Sequence, residues 1–494
     1  MPDATTPTAP DLPTRPVVAG FHPDPTVCRT GDGDFLLACS SFEYAPGVPL
    51  FRSPDLVSWE LVGHALDRPS QLVLDGVAPS GGVYAPTLRH HDGRFWLVTT
   101  NVSDGPGHLL VTATEPAGPW SEPVRIRDAG GIDPDLAWDD DGTCYLTWSD
   151  DGIVQAVLDP STGDLLTAPR RLWSGTGGRD PEGPHLYRVG STWYLLVSEG
   201  GTGHGHAVSV ARGPSPAGPF DPSPHNPLLT ARGRATAVQH TGHADLVERS
   251  DGSWAVVFLG VRHEGAFPGW HVRGRETFAA QVVWRDGWPV LGDPLEPPAE
   301  PDVREVLDGA LPPTWVGAGA LPGDLLRRTG DAWVLTAGTD GARSFVGRRQ
   351  EHAVTTTRAR VDATDGAGGL EVRLDPRHAV SLEVDDGTVR AVARIGSLTS
   401  VLGEAPWTPA TVLDLRTVHS DAPRWSRERG PDVVVAAVDG PDGRVDLGRL
   451  DGRYLSTEVA GGFTGRLVGL TCRRGSLVVR AVEHVGTAGP APSS

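Results

Sequence analysis

Five segments share one pattern, the first beginning at position 24 and the last at position 243. Three of them begin with an acidic residue and one begins with a histidine. Each segment continues through a short apolar strand, a polar turn and a strand rich in aromatic residues. The segments begin at Asp24, Ala85, Asp133, Glu182 and His243. One ionised and one protonated carboxyl group facing each other can cleave a glycosidic bond, because the acid protonates the leaving oxygen and the base activates water. The pattern therefore indicates hydrolytic chemistry, if the fold brings these residues together.

The spacing of the five segments predicts how they meet. Their first residues lie 48 to 61 positions apart, close to the ~40–50 residues of a four-stranded propeller blade. The first strand of every blade lines the central channel, so equivalent positions should face one another around the axis. Turn formation alone explains many isolated aspartates beside proline. It is the coincidence at one repeat position that predicts a shared site.

Local sequence distinguishes two of the acids. Asp24 stands between two prolines, which restrict the backbone on both sides and suit a fixed general base. Gly183, after Glu182, allows close approach of a ligand, and the charges of Asp24 and Asp133 should raise the pKa of Glu182 by repulsion. Glu182 is then expected to keep its proton near neutral pH and act as the general acid. A separation of roughly 6.5–9.5 Å between acid and base would give inversion at the anomeric carbon.

Short apolar runs separated by Asp-Gly or Gly-Ser, with no long helical pattern, predict an all-β chain. The 494 residues are too many for one compact core. A five-bladed β-propeller followed by a β-sandwich domain is expected. The predicted boundaries are a disordered leader at 1–14, the catalytic propeller at 15–295, a proline-rich linker at 296–313, the sandwich at 314–485 and a disordered tail at 486–494.

Composition disfavours several classes of partner. The net charge of −19 argues against nucleic acid and against an anionic membrane surface, and no apolar run approaches the ~18–20 residues of a membrane-spanning helix. The four cysteines form no C-x-x-C pair, so they predict neither a disulfide framework nor a zinc site. The first residues do not read as a secretory signal, which favours a cytoplasmic protein. A small neutral oligosaccharide fits this surface, and a homo-oligomer remains open.

Several motifs together carry a family resemblance. GFHPDPTVCR, GVYAPTLRHHDGRFWLVTTN, GIDPDLAWDDDGTCYLTW, DPEGPHLYR, EGGTGHGHAVSVARG, TGHADLVE and GRETF occur in this order and resemble glycoside hydrolase family 43, specifically its two-domain β-xylosidase branch. GGFTGRLVGLTC resembles the C-terminal sandwich of that branch. The resemblance implies a five-bladed propeller and an inverting mechanism. It implies that Asp24 is the general base, that Glu182 is the general acid, and that Asp133 tunes the pKa of the acid and orients it.

The same resemblance places six further residues around the sugar: Phe42, Tyr84, Thr202, His243, Arg275 and Phe463. Tyr84 stands where relatives commonly carry tryptophan. Arg275 is expected to bind sugar hydroxyls and keep Asp24 ionised, with an ion pair to Glu276 as the structural alternative. Phe463 of the second domain is expected to cover one end of the channel. A pocket with a closed end predicts exo-action on short oligosaccharides. The resemblance implies that the enzyme releases xylose from the non-reducing end of short β-1,4-xylo-oligosaccharides.

Other activities remain open at this level. An α-L-arabinofuranosidase, or a dual enzyme, would use a similar pocket. A fructan-cleaving hydrolase is more distant because its N-D-P-N and E-C signatures are absent. A noncatalytic carbohydrate-binding propeller would have no need for three mutually repelling acids. No cofactor is required and no metal ligand is assigned, although a divalent cation such as calcium is allowed in the channel beside His243; His204 and His206 receive no role.

Overall fold

The computed structural model describes residues 11–338 and 342–488. Antiparallel β-strands dominate both ranges, which confirms the all-β prediction. Within the first range, five sheets of four or five strands follow one another as the blades of a propeller.

The strands of the first two blades, with one short strand that leaves the first, are β1 (Thr26–Arg29), β2 (Phe35–Ala38), β3 (Tyr44–Ala45), β4 (Gly47–Ser53), β5 (Glu60–Leu66), β6 (Thr87–His91), β7 (Arg94–Thr99), β8 (His108–Ala113) and β9 (Val124–Ile126). The third and fourth blades contain β10 (Ile132–Trp138), β11 (Cys144–Ser149), β12 (Ile153–Asp159), β13 (Asp164–Leu165), β14 (Arg170–Trp173), β15 (Glu182–Val189), β16 (Thr192–Glu199), β17 (Ala207–Gly213), β18 (Asp221–Pro222) and β19 (Leu229–Thr230). The fifth blade contains β20 (Val238–Glu248), β21 (Trp254–Arg262), β22 (Glu276–Arg285) and β23 (Trp288–Leu295).

Apolar side chains between neighbouring blades close the ring. Separate buried clusters join blades one and two, two and three, three and four, and four and five. A further cluster returns from blade five to blade one, where Val27 and Leu37 pack with Val257 and Ala279. Because each blade buries both of its faces against neighbours, the first strands are held side by side around the channel.

The second domain consists of two packed sheets with a buried apolar core. Its strands are β24 (Val303–Val306), β25 (Trp315–Ala318), β26 (Leu326–Thr329), β27 (Ala332–Thr336), β28 (Ser344–Arg349), β29 (Val354–Asp362), β30 (Gly366–Asp375), β31 (His378–Asp385), β32 (Thr388–Ile395), β33 (Leu398–Pro406), β34 (Val412–Val418), β35 (Val433–Gly440), β36 (Gly443–Asp451) and β37 (Leu467–Thr487). The first part of β37 pairs with β28 and β30, and its second part pairs with β27, β29 and β24. One strand thus belongs to both sheets, and the predicted β-sandwich is confirmed.

Helices are short throughout the described ranges. They are α1 (Pro322–Leu325), α2 (Thr457–Ala460) and a 3-10 turn at Gly452–Leu455. None of them has the length and apolar character that crossing a membrane demands.

The sandwich contacts the propeller where the predicted site lies. Strand β25 pairs with β3 of the first blade. Beside this contact, Phe21, Phe42 and Tyr44 of the propeller share a buried cluster with Phe345 and Leu467 of the sandwich. Burial of several aromatic side chains contributes on the order of 1.5–3 kcal/mol each, so the two domains hold one relative position.

The segments expected to be irregular contain ordered contacts. Residues 1–10 of the predicted leader and 489–494 of the predicted tail lie outside the described residues. Leu12 nevertheless packs into the cluster between blades four and five, and the backbone N–H of Thr14 donates to Glu296. The predicted linker includes strand β24, since Val303–Val306 pairs with the end of β37. All four cysteines are free and buried.

Candidate active site

A repeated backbone irregularity turns side chains into the channel. Asp24, Asp133 and His243 have φ angles of 55°, 56° and 46°, in the left-handed region that non-glycine residues rarely occupy. Asp133 and His243 lie at shifts of strand register in β10 and β20. Such bulges redirect a side chain out of the normal alternation, and each strained residue costs about 1–3 kcal/mol. Because the same backbone strain recurs at equivalent positions, it indicates that these three side chains serve one site.

Glu182 does not occupy the repeat position that its sequence alignment predicts. It pairs with Ser198 across β16, as Ile132 pairs with Ser149 in the preceding blade. Gly183 therefore corresponds to Asp133, and Glu182 lies one residue upstream. The equivalence predicted for Glu182 was wrong by one residue, because the proline that follows Asp133 in one segment follows Gly183 in the other.

Gly183 is required at its position for two reasons. Its φ is 55°, and an added Cβ would lie 3.0 Å from the imidazole of His243. Its backbone N–H donates to Asp133 Oδ2 at 3.2 Å. The glycine thus lets β15 approach His243 of β20, and its N–H ties Asp133 of β10 to the residue next to Glu182.

Asp24 is held as an ionised carboxylate. Its side chain is 6% exposed, and burial alone would raise its pKa. The opposing influences of Arg275, His243 and Ser40 prevail and lower the pKa below its ordinary value. Arg275 Nη1 donates to Asp24 Oδ1 at 2.9 Å, and Ser40 Oγ donates to Oδ2 at 2.6 Å. An ionised, fixed carboxylate can accept a proton from water.

The pKa values of Glu182 and Asp133 are shifted upward, in the direction opposite to that of Asp24. Burial raises the pKa of Glu182 to about 7, and the charge of Asp24 adds to this effect. Burial, followed by the charges of Glu182 and Asp24, raises the pKa of Asp133 well above its ordinary value. The predicted repulsion is present, but burial is the larger cause. Near neutral pH the pair holds a proton that Asp24 does not.

His206 supports the protonated form of Glu182. Its Nδ1 lies 3.0 Å from the carbonyl oxygen of His240, and because a carbonyl only accepts, Nδ1 must carry the hydrogen. Burial lowers the pKa of His206 to about 3, so the ring is neutral and Nε2 is free of hydrogen. This nitrogen lies 3.6 Å from Glu182 Oε1. An acceptor facing the carboxyl group favours its protonated, donating state.

Aromatic rings from both domains form one wall of the site. Phe42 lies 5.2 Å from Tyr84 and 5.9 Å from Phe463 between ring centroids. The backbone N–H of Phe463 donates to Ser80 Oγ at 2.9 Å, which fixes the sandwich segment over the propeller. Arg275 Nη2 donates to the carbonyl oxygen of Phe463 at 3.3 Å. Arg275 therefore connects Asp24 to the aromatic wall.

The structure brings every predicted site residue into one pocket. Its lining comprises Asp24, Phe42, Tyr84, Ala85, Ile132, Asp133, Glu182, Thr202, His243, Arg275 and Phe463. Thr202 Oγ1 accepts from Arg275 at 3.2 Å. Glu276, the structural alternative for that arginine, pairs instead with Arg262 at 2.6 Å.

Sequence reasoning missed two residues beside the acids, Ser40 and His206. The signal for Ser40 is the first hairpin: Thr26 pairs with Ala38, so the antiparallel register places position 40 opposite position 24. For His206 the sequence offered only a histidine in a glycine-rich turn. Its contact depends on the packing of β17 against β20, which no local pattern specifies.

The channel below the site does not form an oxygen-rich calcium site. Arg89 lies between the two buried carboxylates there, 2.6 Å from Asp135 and 3.0 Å from Asp245. Their charge is thus already neutralised by a guanidinium, whereas calcium is bound by six to eight oxygens. Calcium beside His243 stays a prediction.

Two family models match this chain. One, described as "Glycosyl hydrolases family 43", matches residues 13–289. The other, described as "Beta xylosidase C-terminal Concanavalin A-like domain", matches residues 324–476. Together they cover the propeller and most of the sandwich.

Individual proteins resemble the chain over different lengths. "Non-reducing end alpha-L-arabinofuranosidase BoGH43B" of Bacteroides ovatus is 36% identical over an alignment of 498 positions that covers 92% of this chain and 90% of that protein. "Xylosidase/arabinosidase" of Butyrivibrio fibrisolvens is 46% identical over 296 residues, 56% of each chain. Among solved structures, "Bacteroides ovatus Xyloglucan PUL GH43B" superposes with a TM-score of 0.85 at 32% identity and covers 96% of this chain and 99% of that one.

Proposed function

The chain belongs to glycosyl hydrolases family 43, and on that premise we propose that it is an inverting, exo-acting hydrolase of short pentose-containing oligosaccharides. Its first candidate substrate is a β-1,4-xylo-oligosaccharide, from which it releases xylose at the non-reducing end. The observation that carries the proposal is the pocket in which an ionised Asp24 faces a Glu182 with a pKa of about 7. That division of protonation states supplies the base and the acid of glycoside hydrolysis.

In the proposed reaction, Asp24 accepts a proton from a water molecule while the water oxygen attacks the anomeric carbon. The bond from that carbon to the glycosidic oxygen breaks, and Glu182 donates its proton to the departing oxygen. Arg275 holds Asp24 ionised and in place. Asp133 tunes and orients the acid, and His206 supports its protonated state.

The aromatic wall supports exo-action. Phe463 is 37% exposed and packs on Phe42 and Tyr84, so it narrows the pocket from the sandwich side. Aromatic faces pack well against the C–H groups of a sugar. A pocket with this wall accepts the end of a chain more readily than its middle.

An α-L-arabinofuranosidase is the second candidate. The relative of Bacteroides ovatus that matches along almost the whole chain carries that activity in its name. The Butyrivibrio relative is named for both activities. A terminal arabinofuranosyl unit presents hydroxyl groups that the same carboxylates and Arg275 can bind.

A panel of 4-nitrophenyl glycosides tests the proposal. We expect hydrolysis of the β-D-xylopyranoside and measure it beside the α-L-arabinofuranoside, with a fructosyl substrate as the negative control. NMR of the first-formed sugar is expected to show the inverted anomer. Retention of configuration would contradict the mechanism, and a preference of more than tenfold for the arabinofuranoside would replace the first candidate by the second.

The pH dependence of hydrolysis follows from the two carboxyl groups. On xylobiose, we expect kcat/KM to fall as pH rises through about 7, because Glu182 loses the proton that the leaving group needs. At the acidic end, kcat/KM should fall only below the ordinary range of an aspartate, since the pKa of Asp24 is lowered. The measurement is kcat/KM from pH 3 to 9. An alkaline limb near pH 4.5, the ordinary value for glutamate, would contradict the protonation of Glu182.

Phe463→Ala tests the aromatic wall. The variant loses the contacts to Phe42 and Tyr84, which are worth about 0.5–1.5 kcal/mol for an aromatic pair. We expect KM for xylobiose to rise about 2–10-fold with a smaller change in kcat. Phe267→Ala is the matched control, because that ring is 96% exposed. Equal KM values for the two variants would remove Phe463 from the substrate pocket.

A further inference from the structure

Four histidines outside the catalytic pocket gather where blade five meets the sandwich. His240 lies in β20, His263 follows β21, and His271 precedes β22. Glu458 of helix α2 reaches them from the sandwich. His204, from the loop after β16, contacts His240 with 3.2 Å between Nδ1 and Nε2.

The three buried or half-buried imidazoles have the geometry of a ligand set. One nitrogen from each of His240, His263 and His271 lies within 4.8 Å of the other two. In the part of the chain that the structure describes, these three residues form the cluster that could hold a metal ion. Ring centroids of His240 and His263 are 4.8 Å apart. Neutral imidazole is the form of histidine that binds metals.

Glu458 occupies the place of an orienting carboxylate. Its Oε1 lies 2.5 Å from His271 Nδ1 and 3.4 Å from His263 Nε2, and its Oε2 accepts from the backbone N–H of His271 at 3.0 Å. Histidine ligands usually donate their second nitrogen to such a carboxylate, which fixes the ring and its tautomer. His263 Nε2 is buried, and its 3.4 Å contact to Glu458 Oε1 lacks hydrogen-bond geometry, so this nitrogen is unsatisfied and a bound cation would remove that cost.

We propose that His240, His263 and His271 bind a borderline divalent cation of the zinc type, with Glu458 orienting the ligands from the second domain. Three imidazoles suit Zn²⁺, Co²⁺, Ni²⁺ or Cu²⁺ and do not suit calcium or magnesium, which take oxygen ligands. Three protein ligands leave a fourth position for water. The site differs from the channel position beside His243 that the sequence analysis allowed.

The site would stabilise the contact that holds Phe463. The pocket beside the cluster is lined by His204, His240, His271 and Glu458, and it shares Thr202, Arg275 and Phe463 with the catalytic pocket. Glu458 lies five positions before Phe463. A cation bound to the blade-five histidines therefore fixes the segment that forms the aromatic wall, and it acts on that wall without entering the reaction.

Metal binding is tested on the full chain without a polyhistidine tag, after dialysis against chelator. Zn²⁺ alone is titrated by calorimetry, and Co²⁺ is titrated while its visible absorption is followed. We expect one equivalent to bind, the cobalt spectrum to be that of a four-coordinate site, and Zn²⁺ to raise the Tm. His225→Ala, which removes an exposed histidine elsewhere in the propeller, should bind like the wild type.

Two variants separate a ligand role from a structural one. His263→Ala should abolish the cobalt spectrum, and Glu458→Gln should weaken Zn²⁺ binding about 10–100-fold, the usual effect of losing an orienting partner. If His263→Ala folds poorly, Glu458→Gln still decides the question. Binding that is absent in the wild type, or unchanged in both variants, would overturn the proposal. Hydrolysis by the metal-free protein tests the proposed function separately, since no catalytic step uses this cation.

Discussion

Replacing Asp24 with asparagine is expected to lower kcat by about 10²–10⁴-fold, the usual contribution of a general base. The loss should be similar for xylobiose and for 4-nitrophenyl β-D-xylopyranoside. An activated aryl leaving group needs little help from the acid, but water must be deprotonated in both reactions. The amide keeps an oxygen that can accept from Arg275 Nη1, so the pocket should retain its shape.

A matched control separates chemistry from folding. Asp414 is also a fully buried aspartate with arginine partners, Arg358 and Arg416, but it lies in the sandwich. Asp414→Asn should lower the Tm and leave kcat near the wild-type value. If Asp24→Asn hydrolyses the aryl xyloside at a near-normal rate, Asp24 is not the base.

Replacing Glu182 with glutamine is expected to produce a loss that depends on the leaving group. Hydrolysis of xylobiose should fall about 10²–10⁴-fold, because the departing sugar oxygen receives no proton. The aryl xyloside should lose less, since 4-nitrophenolate leaves readily without protonation. The alkaline limb of the pH profile should also disappear in the variant, because glutamine has no proton to lose.

The comparison of two substrates serves as the internal control for Glu182. A misfolded variant would lose both activities by the same factor, whereas loss of an acid separates them. Equal losses on xylobiose and on the aryl xyloside would assign Glu182 a different role. Wild-type rates on xylobiose would remove it from the mechanism altogether.

Much of the propeller could be predicted because its signals are local. Alternating apolar strands and Asp-Gly turns repeat along the chain, and the prolines next to Asp24 and Asp133 mark the strands that line the channel. The ring geometry then converts equal positions in the repeat into neighbours in space. For that reason Asp24, Asp133 and His243 meet in one pocket. The aromatic residues of that pocket, with Thr202 and Arg275, were predicted from the family resemblance and not from the repeat.

The remaining features depend on long-range packing. The one-residue displacement of Glu182 shows in the strand pairing, and composition does not reveal strand register. The pKa of Glu182 is raised mainly by burial, which depends on the domains closing around it. The histidine cluster has no sequence motif, because His240 comes from β20, the other two imidazoles come from the segment between β21 and β22, and the carboxylate comes from the other domain. Strand β24 escaped prediction for the same reason, since it pairs with the distant β37.

Strand β37 has a consequence for the nascent chain. The five blades are complete once residue 295 has left the ribosome, and N-terminal domains generally fold first during synthesis. The sandwich cannot close until residue 487 has emerged, because β37 is the strand that both of its sheets share. A polypeptide released between these points would carry all three carboxylates without the wall that Phe463 provides. The groups proposed for acid–base chemistry are thus in place earlier in biosynthesis than the wall proposed to select the substrate.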